Sequence, residues 1–107
     1  MKMLSQMKKG IIEYCVLAAI DRGRNPYGYE IVKQLSGLGL VIQEGTIYPL
    51  LSRLTRAELV TSEWRDTGHG APRKYYEITD SGKSTLVQFR EEWTDFCAAV
   101  NRILEEG

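Results

Sequence analysis

The sequence predicts a mainly α-helical chain with a small β-hairpin and a long C-terminal helix. Three observations carry that expectation. Apolar residues recur at helical spacing in three segments that end by Arg56, the period changes from 3.6 to 2 after Glu58, and an apolar seam at alternating spacings of three and four fills the last quarter. With 107 residues, 43% apolar and 26% charged, the composition is that of one globular unit with one core. Residues 1–79 read as the hairpin-bearing region and residues 80–107 as the long helix, the two packed together through the first helix.

The first helix is expected over Leu4 to Ile20, with Gly23 as its stop. Ile11, Ile12, Val16, Leu17 and Ile20 cover a wide arc, which predicts burial between other elements or against a second subunit. Asn25 and Pro26 read as the start of a second helix, an amide-capping side chain followed by a first-turn proline. That helix runs to about Ser36, with Gly28, Ile31, Val32 and Leu35 on one face and Gly37 and Gly39 beyond its end. In the third helix Thr46 is the expected cap and Pro49 a first-turn residue, because first-turn amides have no helical partner. Ile47, Leu50, Leu51 and Leu54 then share one side. Gly45, Pro49, Ser52 and Arg56 share the other, flanked by Thr46, Tyr48 and Arg53.

Beyond Glu58, Val60, Ser62 and Trp64 alternate with their neighbours, as do Lys74, Tyr76 and Ile78, the pattern of two antiparallel strands. Asp66 to Pro72, with two glycines and a proline, is the exposed tip between them. Trp64, Tyr75 and Tyr76 read as sheet and core aromatics. Thr79 or Asp80 caps the last helix, about 37 Å long at 1.5 Å per residue. Its Leu86, Phe89, Trp93, Phe96, Val100 and Ile103 form an a/d seam, the mark of a helix that packs along another, and so a dimerisation helix.

Composition excludes several classes. The longest apolar run, Tyr14 to Ile20, is far short of the roughly 20 residues that cross a bilayer, and no signal peptide is evident, so the expected location is cytoplasmic, with no membrane partner. Cys15 and Cys97 have no CxxC spacing and only one histidine, His69, for company, so no metal site or cofactor is expected. No nucleophile with a partner base and no phosphate-cradling glycine loop points to an enzyme. Cys15 reads as a buried thiol, while Cys97 could lie near a dimer axis.

The net charge is zero, but it is unevenly placed. Residues 1–79 carry eleven Lys/Arg against eight Asp/Glu, and residues 80–107 carry three against six. Three helices followed by a hairpin is the layout of a winged helix-turn-helix, whose third helix enters a DNA major groove. Arg53, Arg56, Arg65, Arg73 and Lys74 all lie on the third helix or the hairpin, where a polyanion would need them.

The stretches Tyr27-Gly-Tyr-Glu-Ile31, Gly45-Thr-Ile-Tyr-Pro-Leu-Leu-Ser-Arg-Leu54 and Pro72-Arg-Lys-Tyr-Tyr-Glu-Ile-Thr79 with Gly82 resemble the signature blocks of PadR-type transcriptional regulators, in order and spacing. The length resembles the short class of that family, with one C-terminal dimerisation helix. The resemblance implies a homodimeric repressor that binds an inverted-repeat operator in double-stranded DNA and releases it on a signal. It implies DNA contacts for Thr46, Tyr48 and Pro49, with Tyr48 at a phosphate, for Ser52, Arg53 and Arg56 on the same helix, and for Arg73 and Lys74 in the wing. His69 and Ala71 fall where the family varies, so both a minor-groove and a backbone role for the tip stay open.

Some short members of that family bind flat hydrophobic drugs between subunits, which makes a planar hydrophobic effector at Trp93 and Phe96 a further expectation. The neutral net charge keeps open a second class of function, a dimeric winged-helix adaptor for other proteins. A thiol-responsive regulator without a small ligand is a third.

Overall fold

The structure, a computed structural model, describes residues 2–105, with side chains described from residue 10 onward. The elements are α1 (Lys2–Arg22), α2 (Gly28–Gly37), α3 (Glu44–Arg56), β1 (Val60–Arg65), β2 (Arg73–Ile78) and α4 (Asp80–Glu105). α1 is the hub, touching α2, α3, α4 and β2. Its Val16, Leu17, Ala19 and Ile20 are buried with Ile31 and Leu35 of α2, the Ile47, Leu50, Leu51 and Leu54 stripe of α3, and Val60 and Tyr76 of the hairpin. The wide apolar arc of α1 thus reflects burial on several sides at once.

Two helix starts differ from expectation. Asn25 does not cap α2: it takes a left-handed φ of 53°, and Pro26 and Tyr27 lie outside the helix against β2. The Pro26 carbonyl accepts the Tyr76 N–H at 2.9 Å, and Tyr27 forms an antiparallel bridge with Tyr75. This isolated bridge ties the segment before α2 to β2, and α2 begins only at Gly28, where the Glu30 carboxylate accepts the Tyr27 N–H at 3.2 Å. In α3 the residue before the helix is Gln43, so Thr46 lies within the first turn and is not the cap. Pro49 falls in the second turn, where it denies the Gly45 carbonyl its usual donor. That carbonyl is on the exposed side of α3, where water can serve it.

α2 and α3 both end in a tight left-handed turn. After α2, Leu40 donates to the Leu35 carbonyl at 2.9 Å with Gly39 at φ 98°. After α3, Leu59 donates to the Leu54 carbonyl at 3.0 Å, but the left-handed position is Glu58, φ 61°. The hairpin pairs Val60 with Ile78, Ser62 with Tyr76 and Trp64 with Lys74. Its tip is held by the Asp66 carboxylate, which accepts the Gly68 N–H at 2.9 Å. Thr79 caps α4, its hydroxyl accepting the Gly82 N–H at 3.0 Å and donating to the Glu58 carbonyl at 2.8 Å.

Two side chains sit elsewhere than the sequence suggested. Trp64 is not a core aromatic: it is 65% exposed, whereas Tyr76 on the opposite strand is buried. Leu86, read as the first residue of the dimer seam, is buried in the chain's own core and has almost no surface left for a partner. Farther along α4, Phe96, Ile103 and Leu104 are exposed, and Trp93 is partly so. Leu104 was not part of the expected seam. No helix among the described residues is long and apolar enough to cross a membrane.

Candidate nucleic-acid interface

The outer face of α3 and the wing converge on one groove of about 370 Å³, lined by Tyr27, Gly28, Tyr48, Ser52, Trp64, Pro72, Arg73, Lys74 and Tyr76. Its helix wall is set by the apolar stripe: once Ile47, Leu50, Leu51 and Leu54 turn inward, Tyr48 and Ser52 turn out. The Tyr48 ring lies against α2, and a Cβ on Gly28 would come 3.0 Å from its Cε1. The glycine at the start of α2 is therefore what lets the phenol close in. The wing wall carries both expected cations on aromatic faces. The Arg73 guanidinium lies 4.4 Å from the centroid of Tyr27, and the Lys74 ammonium lies 5.6 Å from that of Trp64. Tyr27 is itself fixed by its bridge to Tyr75 and by an edge-to-face contact with that ring at 5.6 Å.

Among the described residues that line this groove there is no carboxylate. With two cations and three phenols it has the chemistry of an anion site. Burial, and secondarily the neighbouring Tyr48, raise the pKa of the Tyr76 phenol above its ordinary value, so it stays a neutral hydroxyl at physiological pH.

Of the remaining expected contacts, Thr46, Pro49 and Arg56 are exposed on α3 outside the groove. Arg53 is already engaged: its guanidinium is 3.7 Å from the carboxylate of Glu13 on α1. Arg53 and Arg56 also occupy the last turn of α3, where positive charge favours the helix end. Trp64 was missed as a surface residue, because alternation tells which face of a strand a residue is on but not where the core beneath that face stops.

A second concavity of about 650 Å³ lies between α1 and α4, lined by Ile11, Tyr14, Thr85, Gln88, Phe89, Glu92, Trp93, Asp95 and Phe96. Tyr14 stacks on Phe89 at 4.4 Å between centroids, Phe89 on Trp93 at 6.0 Å, and Trp93 lies 6.4 Å from Phe96 at a tilt. Tyr14, contributed by α1, extends the aromatic row beyond the α4 seam that the sequence showed. Glu92 and Asp95 give this groove the opposite electrostatic character from the first. Among the cysteines, Cys15 is partly buried and burial raises its thiol pKa, which disfavours the reactive thiolate.

Comparison with known proteins matches these features to one family. Residues 16–88 match the transcriptional regulator PadR-like family. A PadR family transcriptional regulator from Eggerthella lenta superposes with a TM-score of 0.88 at 36% identity, over 99% of this chain and 92% of that one. The transcriptional regulator Rv3488 of Mycobacterium tuberculosis is 34% identical over 64 residues, covering 60% of this chain and 59% of its own. Bacillus subtilis PadR, solved in complex with operator DNA, superposes with a TM-score of 0.67 at 28% identity, over 74% of this chain and 45% of that one. The match spans the α3 and wing residues from which the groove is built, and with it the chain belongs to the PadR-like family of transcriptional regulators.

Proposed function

We propose that the protein is a homodimeric repressor that binds an inverted-repeat operator through α3 and the wing and leaves it when a planar, hydrophobic, cationic effector binds between α1 and α4. The observation that carries the DNA reading is the carboxylate-free groove, with Tyr48 and Ser52 on one wall and Arg73 and Lys74 on the other. Phosphates are the polyanion such a groove suits, and Ser52 and Arg56 on the outer face of α3 are the side chains we assign to base edges. The operator complex of Bacillus subtilis PadR supports the same reading by family likeness.

The dimer rests on the exposed apolar side of α4, where Phe96 is 59%, Ile103 72% and Leu104 70% exposed in the single chain. A solvated row of that length calls for a matching helix, and a second copy of α4 supplies one. The effector reading rests on the row Tyr14, Phe89, Trp93 and Phe96 beside Glu92 and Asp95: flat faces for stacking and carboxylates for a positive charge. An electrophoretic shift with the DNA upstream of the protein's own coding sequence tests the proposal. A shifted band that a planar cationic dye disperses supports it, and no shift at low salt with any upstream segment refutes it.

A further inference from the structure

Trp64 shares a face of β1 with Val60 and Ser62, and that face is covered only in part. The first two rows of the ladder, Val60 with Ile78 and Ser62 with Tyr76, lie over the core, where Val60 and Tyr76 are buried. The third row, Trp64 with Lys74, runs past the core edge and becomes a wall of the α3–wing groove, facing the side that Tyr48 and Ser52 line. An indole 65% exposed there is an apolar plate beside two cations, with no carboxylate among the groove residues.

We propose that Trp64 contacts DNA directly, its indole packing against a deoxyribose of the strand whose phosphate is taken by Arg73 and Lys74. The inference deepens the DNA reading above and rests on it. A sugar–phosphate strand alternates an apolar ring with an anion, and the groove offers the matching pair, a flat apolar surface with an ammonium 5.6 Å from its centre. Lys74 lies over Trp64, so a phosphate drawn to that ammonium brings its own sugar to the indole. The contact is indifferent to base identity, and it adds affinity without adding charge.

The test uses the full chain and a short unlabelled duplex from the DNA upstream of its coding sequence. Trp64→Ala lowers affinity about tenfold, in the range of aromatic stacking on nucleic acid, and leaves the slope of log affinity against log salt unchanged. Lys74→Ala, which removes one phosphate contact from each half of the dimer, lowers the magnitude of that slope by about two. Duplex binding shifts the tryptophan emission of the wild type more than that of Trp64→Phe, which keeps most of the affinity. Equal affinity of wild type and Trp64→Ala, with equal emission changes in wild type and Trp64→Phe, overturns this proposal alone. A loss in Trp64→Ala accompanied by a reduced salt slope also overturns it, because the indole would then act only by holding Lys74. A wild type that binds no duplex overturns the DNA reading, and this proposal with it.

Discussion

Gly82 packs against Leu59, next in sequence to Glu58, at the corner where α3 passes the chain to the wing and the wing passes it to α4. A Cβ on Gly82 would run into the Leu59 carbonyl and the Ile78 side chain, so Gly82→Ala is expected to destabilise the protein by about 2 kcal/mol, despite alanine's better helix propensity. Glu58 pays a left-handed backbone that glycine adopts freely, and Glu58→Gly should stabilise by about 0.5–1 kcal/mol. Thermal melts check both, with opposite signs expected for two neighbouring sites. In the groove, Tyr27 holds the Arg73 guanidinium on its ring face, so Tyr27→Leu should weaken DNA binding as Arg73→Ala does, while Tyr27→Phe should not. Tyr48→Phe should weaken binding to all duplexes alike, whereas changes at Ser52 or Arg56 should alter which duplex is preferred, as binding to a panel of sequences would show.

At the scale of elements, α4 divides into two halves with different neighbours. Its first turns are packed on α1 and β2, where Gly82 and Leu86 are buried, and from Trp93 onward its apolar side is largely uncovered. Val100→Asp should therefore yield monomers by sedimentation without unfolding the wing, whereas a wild type that sediments as a monomer at micromolar concentration would contradict the dimer. The helices and strands were legible in the sequence because their periods are local properties: the α3 stripe and the alternation along the two strands follow directly from residue spacing. What was not legible depends on partners distant in the chain. Asn25 and Pro26 carry the residue types of a helix start, yet Pro26 and Tyr27 pair with β2, fifty residues away in sequence, and the helix waits until Gly28. Leu86 fits the seam by spacing, but it is buried in the chain's own core. The groove was half legible: Tyr48, Ser52, Arg73 and Lys74 were named from motifs and face, while Trp64 and the Tyr27 platform under Arg73 needed the third dimension.

Across the whole molecule, zero net charge conceals a separation by site. The α3–wing groove is lined by cations without carboxylates, and the α1–α4 groove has Glu92 and Asp95 at its aromatic row. Each end is suited to a ligand of the opposite sign, which is how a neutral chain could serve both DNA and a cationic effector. The elements between them are shared: α1 contributes Ile11 and Tyr14 to the α1–α4 groove, and its Glu13 carboxylate lies 3.7 Å from the Arg53 guanidinium of α3. A twofold dimer should place its two α3 helices about 34–36 Å apart, so the half-sites of the operator should be centred near one helical turn from each other, as footprinting would show. Whether the α3–wing groove is a phosphate site is tested most directly by operator affinity across a salt series for wild type and Arg73→Ala. With about three phosphates contacted by each subunit, the slope of log affinity against log salt should be roughly −5, and the Arg73→Ala dimer, having lost one contact in each half, should show a slope of about −4 to −3. A slope near zero for the wild type, or one that Arg73→Ala leaves unchanged, would contradict the phosphate site.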